Sequence, residues 1–131
     1  MSRVRYATLA LIAIGGGLAL RAGGPSLSPT VADISGDALW AAMVFWWISA
    51  AWPRGRPVSR AAIALSAAYL TEFSQLVRAP WLARIRATTL GHLVLGSDFD
   101  WRDFASYALG IAAALLLDRA IASRSRDPAP R

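Results

Sequence analysis

Apolar residues gather into four long stretches in this chain, and polar residues gather between them. The stretches cover 6–20, 38–52, 61–77 and 104–122. Each is long enough for a helix of several turns, and none alternates with the two-residue period of a half-buried strand. A bilayer core of about 30 Å needs roughly 20 helical residues, and about 17 can serve. The first two stretches are short by that measure. Val4 and Ile34 lengthen them, and flanking arginines reach the interface by snorkelling.

A water-soluble four-helix bundle needs a polar outer face on every helix. Residues 38–52 carry no charge on any face, and their only hydroxyl is Ser49; residues 111–117 are apolar all round. The pattern therefore predicts an all-α polytopic membrane protein. It has four transmembrane helices, with an interfacial or re-entrant segment between the third and fourth. Residues 1–122 form one domain and 123–131 a disordered cytoplasmic tail.

The connections carry the punctuation. Asp33 and Ser35 are candidate N-caps for the second helix and Ser59 for the third. Asp100, with Asp103 at the third helical position, approximates a capping box for the fourth. Pro25 and Pro29 make the first connection irregular, and Pro53 and Pro57 frame a short turn. The third connection, 78–103, is too long for a simple turn. Pro80 is placed to open a short helix with Trp81, Leu82 and Ile85 on one face, an interfacial amphipathic segment. Residues 90–95, bracketed by Gly91 and Gly96, form an apolar segment that re-enters the membrane edge. Trp81 and Trp101 fall at the outer interface and Trp52 at the inner one.

The first stretch also has the layout of a signal peptide, with Arg3 and Arg5 ahead of it and Ala22, Gly23 and Gly24 as a weak cleavage motif. Its small residues favour retention. Ala13 with Gly17, and Gly15 with Ala19, are small-xxx-small pairs that let helices approach closely.

Charge refines this picture. The net charge is +6, and all fourteen basic residues are arginine. They bracket the apolar stretches instead of lining one face, and no nucleic-acid-binding motif accompanies them, so nucleic acid is excluded as a partner. With four spans, nine of the fourteen arginines share the side of the N-terminus, the 53–60 turn and the tail. That side is the cytoplasm by the positive-inside rule, which makes the protein a multi-pass inner-membrane protein with both termini cytoplasmic.

Candidate chemistry centres on Glu72, the only formally charged residue in 61–77. A carboxylate in the middle of a membrane helix costs about 3 kcal/mol on insertion scales, and such a group is retained with a partner or a task. Ser66, Tyr69, Glu72 and Gln75 recur every third residue and define a polar stripe. Asp103, Tyr107 and Gly110 share a face of the fourth helix, and Asp37 opens the second. The topology brings Asp37, Glu72, Gln75 and Asp103 to the outer half, beside Arg78, Arg84, Arg86 and Arg102. Two readings remain open. In one, Glu72 pairs with an arginine such as Arg86 and fixes a re-entrant loop to the bundle. In the other, the cluster of Asp37, Glu72, Gln75, Arg86, Asp103 and Tyr107 is open to the outer leaflet, where arginines hold an anionic head group and Glu72 or Asp103 moves protons.

Other chemistry is thinner. There is no cysteine. Asp98, Asp100 and Asp103 are explained by capping and solvation, so no metal and no cofactor are expected. Phosphate-cradling loops, nucleophile elbows and zinc motifs do not occur.

The order of signals also resembles a known family. It runs from Gly36, Asp37, Ala38, Leu39 and Trp40 to Glu72, Phe73, Ser74 and Gln75, then Ala79, Pro80, Trp81 and Arg86. It continues through Gly91, Leu95, Gly96, Phe99 and Trp101 to Asp103, Tyr107 and Gly110. This pattern resembles a bacterial family of small integral membrane proteins, domain of unknown function 2809. That family is distantly similar to the VanZ-like proteins, four-helix membrane proteins associated with glycopeptide (teicoplanin) resistance. The resemblance implies a four-span inner-membrane protein without an established activity, with Asp37, Glu72, Gln75, Arg86, Gly96, Asp103, Tyr107 and Gly110 as its characteristic positions. The expected partners are membrane lipid and an anionic lipid or lipid-linked ligand, with a homo-oligomer left open. The alternatives to binding are an intramembrane acid/base enzyme and a structural or assembly subunit.

Overall fold

The computed structural model describes residues 1–22, 27–96 and 98–124. Among them the chain forms six helices and no strand: α1 (Arg3–Arg21), α2 (Pro29–Ala51), α3 (Pro57–Ser74), α4 (Pro80–Arg86), α5 (Thr89–Leu95) and α6 (Asp103–Arg124). Pro25, Gly23 and Gly24 lie outside the described residues, as does the expected tail except for Ser123 and Arg124, which belong to α6.

Proline, more than the expected caps, sets where helices begin. α2, α3 and α4 each start with proline, at Pro29, Pro57 and Pro80. Its fixed φ suits the first helical position, where its missing N–H would be unpaired anyway. Asp33 and Ser35 therefore fall inside α2. Ser28 is its N-cap, accepting from the Val31 N–H at 3.4 Å. Ser59 likewise falls inside α3, and Asp37 lies well along α2 instead of opening it. Asp103 is the first residue of α6, not the third, and Asp100 Oδ1 accepts from the Arg102 N–H in the preceding turn at 2.9 Å.

Three helices, α1, α2 and α6, are long and apolar enough to cross a membrane, at 19, 23 and 22 residues. α3 has 18 residues but carries Arg60, Ser66, Thr71 and Glu72, and it is not among the three.

α2 is the hub. α1, α3 and α6 each pack on it, and α3 and α6 pack on each other. Small residues set these distances. Ala61, Ala64 and Ala68 make the inward stripe of α3, and Ala41 and Ala114 face inward from α2 and α6. Gly110 is the tightest crossing, because a methyl group there would overlap the Ala38 carbonyl of α2. The small pairs expected on α1 are only half used. Ala13 is buried and a methyl group added at Gly16 would lie 3.4 Å from Leu39, whereas one at Gly15 would meet open space.

The outward faces are apolar. Leu70 is 68% exposed, Leu116 65% and Ile12 64%. In α4, Leu82 turns inward while Trp81 and Ile85 turn outward, so the three do not share the one face expected.

Candidate functional site

The phase of α3 carries Glu72 inward. Ala61, Ala64, Ala68 and Glu72 follow one another at helical spacing on one face, and Glu72 is 0% exposed. Ser66 is exposed and the Tyr69 hydroxyl is turned to the Phe104 carbonyl at 3.3 Å. The expected polar stripe is thus split, and Glu72 sits on the alanine face because the i, i+4 rows of a 3.6-residue helix carry it there.

Three donors converge on Glu72. The Tyr107 hydroxyl of α6 donates to Oε2 at 3.0 Å, and Gln75 Nε2 donates to the same oxygen at 3.0 Å. The Asp100 backbone N–H donates to Oε1 at 2.8 Å. A hydrogen bond to a charged group contributes about 1.5–3 kcal/mol, so this set stabilises a buried carboxylate without a countercharge. Glu72 thereby ties the end of α3, the turn before α6 and the first turns of α6 together.

The Glu72–Arg86 pair of the first reading does not form. Arg86 Nη2 donates to the Ser74 carbonyl at 2.6 Å and to Ser74 Oγ at 3.1 Å, and Nη1 donates to the Val77 carbonyl at 3.4 Å. The last carbonyls of a helix have no intrahelical partner and carry its partial negative charge, so they attract a guanidinium as a carboxylate would. Arg86 holds α4 to the end of α3.

Gln75 is fixed from two sides. Its Nε2 is committed to Glu72, and Gly96 lies against its amide, where an added methyl would sit 2.7 Å from Nε2. Gly96 also has φ 65°, in the left-handed region that favours glycine.

Asp37 of α2 and Asp103 of α6 lie close enough to interact electrostatically. They do so on the wall of a recess with two adjoining lobes. One lobe, of about 270 Å³, is lined mainly by apolar side chains of α1, α2 and α5, among them Ile14, Leu39, Met43 and Leu93. The other, of about 580 Å³, holds Asp33, Asp37, Asp98, Asp100 and Asp103, with Arg21 and His92 as the basic side chains of its wall. Asp37, Gln75 and Tyr107 line both lobes. Of the predicted cluster, then, these three and Asp103 face the recess, Glu72 is sealed behind them, and Arg86 stands apart. No group of three or more metal-ligating side chains is found among the described residues.

A second buried polar cluster lies at the other end of the bundle, where the sequence pattern signalled none. Arg60, expected on an exposed flank, is 2% exposed. Its Nη2 donates to Asp118 Oδ2 at 2.8 Å, the one ion pair among the described residues. The Tyr6 hydroxyl donates to Asp118 Oδ1 at 3.0 Å, and the guanidinium lies 5.0 Å from the centre of the Tyr6 ring. The available signal was positional. Arg60 immediately precedes the 61–77 stretch and Asp118 lies about a turn before the end of 104–122, and an antiparallel pairing of α3 with α6 puts both at one end.

The fold and this arrangement define a class: an all-helical protein with three helices able to span a membrane, a sealed glutamate and a recess with one apolar and one acidic lobe. Residues 27–111 match the family model described as protein of unknown function, DUF2809. The chain belongs to that family. The matched segment runs from α2 into α6, so it contains every predicted site residue but neither Tyr6 nor Asp118. No solved structure matches the chain.

Proposed function

We propose that this protein is a four-span inner-membrane protein with cytoplasmic termini, in which α3 is the additional span and α4 and α5 lie at the outer membrane edge. In this reading its recess binds an amphiphile, a membrane lipid or lipid-linked molecule. The apolar chain occupies the lobe between α1, α2 and α5, and the polar head sits against Asp37, Gln75 and Tyr107.

The observation that carries this reading is the pairing of an apolar lobe with a polar one on a shared wall. Binding sites of this kind are mostly apolar concavities with a few convergent polar groups. Arg86, the arginine that an anionic head group would use, is occupied on the Ser74 and Val77 carbonyls at and just beyond the end of α3. The proposal is therefore kept for an amphiphile without requiring an anionic head. Acid/base chemistry has a weaker footing, since Glu72 is closed off and only Asp103 of the two candidate carboxylates borders the recess.

Gly36 supplies the test. It lines both lobes, and a methyl group placed there meets nothing within 4 Å. Gly36→Leu should fill the recess and leave the unfolding midpoint in detergent unchanged. It should also abolish the rise in midpoint that single-chain amphiphiles give the unaltered protein. Equal stabilisation of both proteins would remove the proposal.

A further inference from the structure

The end of the bundle that holds the recess separates its charges. Asp33, Asp37, Asp98, Asp100 and Asp103 all line the polar lobe. Arg78, Arg84 and Arg102 are exposed, line neither lobe and form no ion pair among the described residues. No acidic residue occurs from 73 to 97. Two contacts set how α4 faces. Leu82 is buried, and Arg86, one turn on, is drawn to the Ser74 and Val77 carbonyls. Trp81, Arg84 and Ile85, spaced i, i+3 and i+4, share another face, and all three are exposed. The turn before α6 repeats the combination with Trp101 and Arg102. Trp81 is 62% exposed and Trp101 74%.

We infer that this outer surface, the Trp81, Arg84 and Ile85 face of α4 together with Arg78, Trp101 and Arg102, binds the head groups of anionic phospholipids. A tryptophan at a membrane edge settles among the head groups. That depth brings a neighbouring guanidinium level with lipid phosphates, whose oxygens match its planar fork of donors. The apolar side chains beside the arginines favour a lipid over a soluble anion, because a basic amphipathic segment gains both from burying its apolar face and from attraction to an anionic surface. A zwitterionic head offers the same phosphate with its charge cancelled and binds more weakly. The inference rests on the placement of α4 at the outer membrane edge and not on occupation of the recess. Anionic lipid, expected within the polar cluster, is thereby moved to the surface outside it.

The test is native mass spectrometry of the full chain released from micelles holding equal amounts of dioleoylphosphatidylglycerol and dioleoylphosphatidylcholine, read as the ratio of retained adducts. Arginines at the other end of the bundle also attract anionic lipid, so two triple variants at exposed positions are compared. Replacing Arg78, Arg84 and Arg102 together by Gln should lower the preference for phosphatidylglycerol by at least about fivefold, the effect expected of even one guanidinium near an anionic surface. Replacing the same three by Lys keeps their charge and should keep most of the preference. Replacing Arg5, Arg54 and Arg56 by Gln should lower it less than the first triple does. A Gln triple at 78, 84 and 102 that retains the full preference overturns the inference, as does one that loses no more than the triple at 5, 54 and 56. On the unaltered protein, hydrogen exchange over residues 78–86 should be slower in phosphatidylglycerol nanodiscs than in phosphatidylcholine nanodiscs. Equal exchange overturns the inference without any variant. Gly36→Leu, which fills the recess, should leave the adduct ratio unchanged, so failure of the recess reading and failure of this inference are separate results.

Discussion

Glu72 holds its buried position through donors alone. It takes two side-chain donors and one backbone N–H, and it forms no ion pair among the described residues. Glu72→Ala strands the Tyr107 hydroxyl, Gln75 Nε2 and the Asp100 N–H together. The expected loss is about 3 kcal/mol or more, read as a lowered denaturation midpoint in detergent. An unshifted midpoint would show that this centre does not hold the bundle. The pair at the opposite end behaves differently. Arg60→Met alone, or Asp118→Leu alone, leaves an uncompensated charge and should cost about 3–5 kcal/mol. The double variant removes both charges and should recover most of that loss. A double-mutant cycle measures the coupling, and additive losses would contradict a buried pair. From the sequence, the importance of Glu72 was legible because it is the lone charge of its stretch. Its partners were not. A search for countercharge favours arginine, whereas a backbone N–H in a turn 28 residues away leaves no mark in composition.

At the level of helices, the hydrophobic pattern located α1, α2, α3 and α6 and misplaced their beginnings. The N-terminal part of α2 is polar enough to read as a connection, yet Ser28 and Pro29 start the helix there. Apolar periodicity is silent in such a segment, and turn chemistry decides. Packing between helices divides the glycines in a way that spacing does not reveal. Gly15 and Gly110 both occupy small-residue rows, but only Gly110 lies against a neighbouring backbone. Gly110→Ala should push α6 off α2 and cost about 1–3 kcal/mol. Gly15→Ala should be neutral, or stabilising by up to about 1 kcal/mol through helix propensity. Thermal unfolding of the two variants side by side checks the contrast, and equal effects would argue against the close α2–α6 crossing.

For the molecule as a whole, the proposed arrangement makes a directional forecast. Reporters that are active only in the cytoplasm should be active at either terminus and in the turn between α2 and α3, and inactive when inserted between α3 and α4. Activity in that last position would rule out α3 as a span. The class of fold was readable from the sequence because apolar residues on every face of 38–52 leave no surface for water. The recess was not readable. Its lobes are assembled from α1, α2, α5 and the ends of α3 and α6, and a single sequence carries no record of which of those faces meet.

α3 carries a buried charge near each end, and α6 answers both. Asp118 meets Arg60, while Tyr107 and the turn leading into α6 meet Glu72. During synthesis α3 emerges well before these partners exist. If α3 spans the membrane as proposed, it is an awkward guest in lipid until α6 arrives, inserted provisionally or waiting at the translocon. In that arrangement a chain interrupted before α6 would keep two unsatisfied charges in a single helix, a plain signal for membrane proteases, so the arrival of α6 and the acceptance of α3 by the membrane become one event.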